Sequence, residues 1–241
     1  MIRFLYLNCF IAIYTLGQCL WGLILSFFDR DGSLVHRYCA MPWAKTILYV
    51  CGVKLEVSGI EDVEKDTPRI YMSNHQSYFD IFALLAGLPV NFKFILKKEL
   101  MRIPLLGIAM KRARYISIDR EDGRKAILSV NMAADRIRGG ASVLIFPEGT
   151  RSKDGAVGEF KKGGFHIALK SGCDIVPVAI LKSRDIVPKG SLKVNKGAIY
   201  LKIGKAIPVS DCSKRDLNAL MERVRNAVSA LMSEQDASKL L

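Results

Sequence analysis

A chain of 241 residues is long enough for one domain whose core needs no disulfide or metal staple, plus an appendage. Six cysteines without a Cys-x-x-Cys pair and only three histidines argue against a structural zinc site and for a reducing compartment. The formal charge of +13, of which +11 lies beyond residue 60, points to an anionic partner; with no zinc-finger or RNP-like motif, and a long apolar N-terminus, lipid is favoured over nucleic acid.

From Phe4 to Phe28 no residue is charged, and as a helix this segment would extend about 37 Å, enough to cross a bilayer. Asn8, Thr15, Gly17 and Gln18 dilute its apolar character, so a helix lying partly in one leaflet is the alternative reading. The run is too long for a cleaved signal peptide and lacks a small-x-small site. After Asp29-Arg30-Asp31-Gly32-Ser33, a second apolar stretch from Tyr38 to Val53 carries Pro42, Trp43 and Lys45. It suits either a helix at the headgroup level or the buried first helix of the domain. We therefore assign residues 1–53 to membrane-associating helices and 54–241 to a catalytic domain. If the first segment spans, Arg30, Arg37 and Lys45 outweigh Arg3, and the positive-inside rule puts that domain on the cytoplasmic face of the inner, or plasma, membrane.

Strands are expected at Lys54–Val57, Ile70–Ser73, Phe92–Leu96, Tyr115–Ile118, Ser142–Phe146, Ile175–Ile180 and Ile199–Ile203. Helices are expected at Asp80–Ala86, Leu105–Arg112, Gly123–Arg138, Gly163–Ser171 and Lys214–Ser233. This alternation predicts an α/β fold, a mostly parallel central sheet flanked by helices. Between the second strand and first helix lies Asn74-His75-Gln76-Ser77-Tyr78-Phe79-Asp80. On a continuous helix, residues five apart diverge by about 140°, so His75 and Asp80 would not meet. A strand-to-helix turn lets the carboxylate reach the imidazole, set its tautomer and leave the other nitrogen to accept a proton. Read alone, the pair is better explained as a histidine that fills a turn and an ordinary helix N-terminal acid.

Val143-Leu144-Ile145-Phe146 runs into a second polar turn, Pro147-Glu148-Gly149-Thr150-Arg151-Ser152. Both turns follow strands at the carboxyl edge of the sheet, where α/β folds gather binding sites. The planar fork of Arg151 suits phosphate, and amides around Gly149 add donors. Ser77 and Ser152 lack a Gly-x-Ser-x-Gly elbow, and Gly149-Thr150-Arg151-Ser152 lacks the lysine and earlier glycine of a phosphate loop.

These blocks resemble those of the glycerolipid acyltransferases, particularly the bacterial 1-acyl-glycerol-3-phosphate acyltransferases. Asn74-His75 with Asp80 is similar to N-H-x-x-x-x-D, and Phe146 to Ser152 to F-P-E-G-T-R-S. Ile118-Asp119-Arg120 resembles the end of a further block, Val176-Pro177-Val178-Ala179-Ile180 another, and Lys97-Lys98-Glu99-Leu100 with Ile103-Pro104 a connecting segment. The block ending at Arg120 departs from the pattern, with Arg114 and Ser117 where glycine and a bulky apolar residue are usual. The resemblance implies the fold of the glycerol-3-phosphate acyltransferases. It also implies transfer of a fatty acyl group from a thioester to the sn-2 hydroxyl of 1-acyl-glycerol-3-phosphate, lysophosphatidic acid, giving phosphatidic acid. His75 would be the general base oriented by Asp80. Arg120, Glu148, Gly149, Thr150 and Arg151 would bind the acceptor, and Lys98 would contact the oxyanion or donor. No cofactor or metal is implied; acyl-CoA or acyl carrier protein is the donor, and anionic membrane lipid a further partner. Related acceptors, namely glycerol-3-phosphate, another lysophospholipid or an aminolipid, and a non-catalytic membrane-surface module, are the competing readings.

Overall fold

The β-branched and aromatic runs form strands in a computed structural model, which describes residues 1–118 and 123–233. They are β1 (Val53–Ser58), β2 (Ile70–Ser73), β3 (Phe92–Lys97), β4 (Ile116–Ile118), β5 (Ser142–Ile145), β6 (Ile175–Leu181) and β7 (Gly197–Ile203). All seven share one sheet in the order β1-β7-β6-β2-β5-β3-β4. β6, β2, β5, β3 and β4 pair in parallel, whereas β7 runs antiparallel to β6 with β1 parallel beside it. The expected mostly parallel α/β sheet is present, and every residue of β2, β5 and β6 is buried because helices cover both faces.

The helices are α1 (Ile2–Leu25), α2 (Ser33–Val35) leading through a π-helical turn (His36–Ala40) into α3 (Met41–Cys51), α4 (Phe79–Gly87), α5 (Leu106–Arg112), α6 (Gly123–Arg138), α7 (Lys162–Ser171), α8 (Ser183–Ile186) and α9 (Leu217–Ser233). On one side of the sheet, Leu48 of α3 and Leu84 and Leu85 of α4 pack with Phe92, Leu144 and Leu201. Leu84 and Leu85 are essentially inaccessible, and burying each contributes about 1.5–3 kcal/mol. Phe165 and Ile167 of α7 and Val224 and Val228 of α9 close the other side over Ile145 and Ala179. The last turn of α4 lies directly on β1 and β7, since a Cβ on Gly87 would sit 2.6 Å from the Leu201 side chain. The helix expected over Lys214–Ser233 begins as a 3₁₀ turn at Lys214–Asp216, because Ser213 and Asp216 form a capping box that tightens its first turn.

The polar residues that dilute α1 face inward. Asn8 donates to Leu192 O, Thr15 accepts from Trp43 Nε1 at 3.0 Å, and Arg3 binds Val194 O and Cys51 O. Leu5, Tyr6, Ile13, Leu16, Leu20 and Ile24 remain outward as an exposed apolar stripe. By length and composition α1 is able to cross a membrane, with a mean hydropathy of 1.5. Helix α3 resolves the two readings of its stretch by face: Ala44, Ile47, Leu48 and Cys51 enter the core, whereas Tyr49 and Lys45 point out. Between α1 and α2, Asp29 accepts the amides of Gly32, Ser33 and Val35. Buried Lys93 of β3 donates to Gly32 O at 2.8 Å, holding this turn to the sheet, and burial depresses its ammonium pKa to about 8.

Candidate active site

Five parallel strands direct their following segments to one edge, so residues far apart in sequence converge there. After β2 the chain leaves extended geometry at Asn74 and enters α4 at Phe79. Asn74 holds the exit: its amide donates to Ile180 O and accepts Ile180 N–H, both at 2.8 Å, as a backbone pair would. Ser77 Oγ accepts Phe79 N–H and donates to Val187 O.

In this turn Asp80 Oδ2 meets His75 Nδ1 at 2.7 Å and accepts the amides of Gln76 and Ser77 at 2.6 and 2.9 Å. Asp80 is fully buried, so its carboxylate relies on those donors. An acceptor carboxylate on Nδ1 leaves Nε2 with its lone pair. The imidazole retains 16% side-chain exposure, and its face stacks on Phe146 with 3.9 Å between centroids and 14° between planes. The stack sets the ring plane, and the carboxylate on Nδ1 favours the tautomer with its proton there.

The second turn, after β5, locks onto the first. Glu148 Oε1 accepts His75 N–H at 2.9 Å, Oε2 accepts Gly158 N–H at 3.2 Å, and Ser152 donates to His75 O at 2.7 Å. Burial pushes the Glu148 carboxyl pKa up, and the two amides oppose that shift. Gly149 donates to Phe146 O at 3.0 Å in a left-handed conformation (φ 71°), closing the turn before Thr150 and Arg151. Arg151 stacks its guanidinium 3.7 Å above the Tyr78 ring, and its Nη1 is buried without a hydrogen-bond partner.

Because both Glu148 oxygens accept amides, Glu148→Gln should destabilise the fold by about 1–3 kcal/mol. Its carboxamide NH₂ would face one of the two N–H groups. A denaturant midpoint unchanged at constant slope would refute this account of Glu148.

The structure brings His75, Asp80, Glu148, Gly149, Thr150 and Arg151 together. Lys98 opens the 3₁₀ turn after β3 at the same edge and is exposed. Arg120 lies outside the described residues. Among the described residues no cluster of His, Cys, Asp and Glu could hold a metal. Sequence reasoning missed the Phe146 stack, the Asn74 bridge and Lys189, whose Nζ donates to Arg151 O and Thr150 Oγ1. A signal for Lys189 existed, since the segment after β6 opens onto this same edge.

A family model described as acyltransferase matches residues 54–181, more than half of the chain. The chain belongs to the acyltransferase family. A chloroplastic 1-acyl-sn-glycerol-3-phosphate acyltransferase from Brassica napus is 38% identical over 208 residues, covering 86% of this chain and 58% of that protein. One from Pseudomonas aeruginosa is 30% identical over 234 residues, covering 93% and 89%. The crystal structure of the 1-acyl-sn-glycerophosphate (LPA) acyltransferase from Thermotoga maritima superposes with a TM-score of 0.82 at 28% identity, over 97% of this chain and 95% of that one. The chain spans little more than half the length of the first curated relatives it matches.

Proposed function

We propose that this acyltransferase moves a fatty acyl group from a thioester to the sn-2 hydroxyl of 1-acyl-glycerol-3-phosphate, yielding phosphatidic acid for phospholipid synthesis. The observation that carries this reading is the 2.7 Å His75–Asp80 contact, joined through the Glu148 carboxylate and the Ser152 amide to the turn bearing Arg151. Relatives named for this reaction support it.

His75 Nε2 takes the hydroxyl proton as the acceptor oxygen attacks the thioester carbonyl. The imidazolium is stabilised by Asp80, and the tetrahedral intermediate collapses with loss of the thiolate. The proton on Nε2 then passes to sulfur, releasing thiol and restoring the base. No acyl-enzyme is needed, because a thiolate is already a good leaving group. The oxyanion would be met by backbone amides at this edge or by Lys98. Arg151, with Arg120, grips the acceptor phosphate; Glu148, Gly149 and Thr150 shape the turn that presents it.

The donor is acyl-CoA or acyl carrier protein, whose negative charge suits a chain of +13, and the reaction itself needs no cofactor. Residues 1–53 act as the membrane-associating part, with the buried face of α3 and Val53 of β1 joining it to the core of the catalytic domain, 54–241. The exposed apolar stripe of α1 enters anionic membrane on the cytoplasmic side, an orientation consistent with six free cysteines.

Purified protein offered acyl-CoA or acyl carrier protein thioesters with several acceptors should prefer 1-acyl-glycerol-3-phosphate by at least about tenfold in kcat/KM. An equal or greater rate with glycerol-3-phosphate, a zwitterionic lysophospholipid or an aminolipid would reassign the acceptor. No transfer to any of them would leave a non-catalytic membrane module.

A further inference from the structure

Tyr78 occupies the position preceding the first residue of α4, where Ser, Thr, Asp or Asn would normally cap the helix. It makes no capping bond and is 50% exposed, so neither capping nor core packing accounts for a large aromatic there. Its ring instead carries the Arg151 guanidinium at 3.7 Å, within the range of a strong cation–π contact.

Neither neighbouring carboxylate pairs with Arg151, although Asp80 Oδ1 is buried without a hydrogen-bond partner. Glu148 spends both oxygens on backbone amides, and Asp80 directs Oδ2 to His75, Gln76 and Ser77. Among the described residues no ion pair neutralises Arg151. The backbone of Arg151 is also fastened, through Lys189 on its carbonyl and through Ser152 N–H on His75 O. A stack occupies the face of a guanidinium and spares its edge, where the N–H donors lie. Buried Nη1 accordingly still lacks a partner.

We propose that Tyr78 is a positioning residue for substrate phosphate: its ring holds Arg151 in the plane required to receive the phosphoryl group, without consuming the charge or the edge donors. The proposal rests on reading Arg151 as the phosphate-binding arginine. Tyr78 and His75 lie three residues apart in one turn, so the same short peptide sets both the proton acceptor and the platform under the phosphate grip. In the acceptor the sn-2 hydroxyl and the phosphate are joined by a short tether of rotatable single bonds, and fixing both the proton acceptor and the phosphate grip would select among its conformers.

The test is steady-state kinetics on the full-length protein with 1-acyl-glycerol-3-phosphate varied at saturating acyl thioester. Tyr78→Leu should raise acceptor KM about three- to tenfold, with kcat within about twofold and the KM for the thioester unchanged. Tyr78→Phe and Tyr78→Trp keep a π face and should stay within about twofold of the parent, with Trp no worse than Phe. An unchanged acceptor KM in Tyr78→Leu, while Arg151→Ala raises it, would overturn the role of Tyr78. Arg151→Ala without effect on acceptor KM would instead remove the reading beneath it. A loss in Tyr78→Phe equal to that in Tyr78→Leu would assign the effect to the hydroxyl, again against the stack. If Tyr78→Leu fails to fold, Tyr78→Gln, a polar replacement suited to a half-exposed site, carries the same expected rise in acceptor KM, and an unchanged KM in it would equally overturn the role of Tyr78.

Discussion

Replacing His75 by alanine should lower kcat for acyl transfer about 10²- to 10⁴-fold, leaving acceptor KM within a fewfold of the parent. The magnitude follows from the chemistry of a hydroxyl nucleophile. At neutral pH it attacks a thioester poorly unless its proton is removed as the new bond forms. The fold gives His75 what that task requires: Nδ1 held by Asp80 at 2.7 Å, the ring plane set by Phe146, and an edge still reached by solvent. Removing the ring uncovers a face of Phe146 and takes one partner from buried Asp80, so a lowered melting temperature is expected, and kcat is compared on material that circular dichroism shows to be folded. Turnover within about tenfold of the parent, on folded material, would sink the general-base assignment.

Asp80→Asn should cost on the order of 10³-fold in kcat through a different route. If the carboxamide oxygen keeps the Gln76 and Ser77 amides, it still accepts from Nδ1–H but no longer stabilises an imidazolium with a full charge. If its NH₂ faces the ring, Nδ1 becomes the acceptor and the proton moves to Nε2, the nitrogen that must be vacant. Either arrangement disables the base. Because Asp80 acts through His75, the two substitutions should not add: His75→Ala/Asp80→Asn should be no slower than His75→Ala alone. A further tenfold loss in the double variant would mean that Asp80 serves the reaction by another path.

Much of the architecture is legible in the local sequence pattern. Each β strand falls within one or two residues of its β-branched run, and the reading of a turn between Ser73 and Phe79 matches the structure. The reason is local: alternation, apolar runs and Pro/Gly punctuation act within a few residues, the range over which strands and helices begin and end. The resemblance at Asn74–Asp80 and Phe146–Ser152 added the chemistry that periodicity alone lacks. Less was legible about α1, where Asn8 and Thr15 read as blemishes in an apolar helix and prove to be its docking face.

The sequence by itself determined an α/β chain with an apolar leader, two polar turns at strand ends and a basic balance, because composition and short-range pattern encode these directly. Tertiary structure alone decided how the turns interlock. Asn74 finds its partner 106 residues away at Ile180, Glu148 reaches His75 across 73, and Lys189 supports Arg151 from a third segment. Those contacts exist because β2 pairs with both β5 and β6, a strand order that no local pattern specifies. Once that order is established, the carboxyl edge closes into one site, with the Tyr78 ring beneath Arg151 and the edge of His75 open beside it.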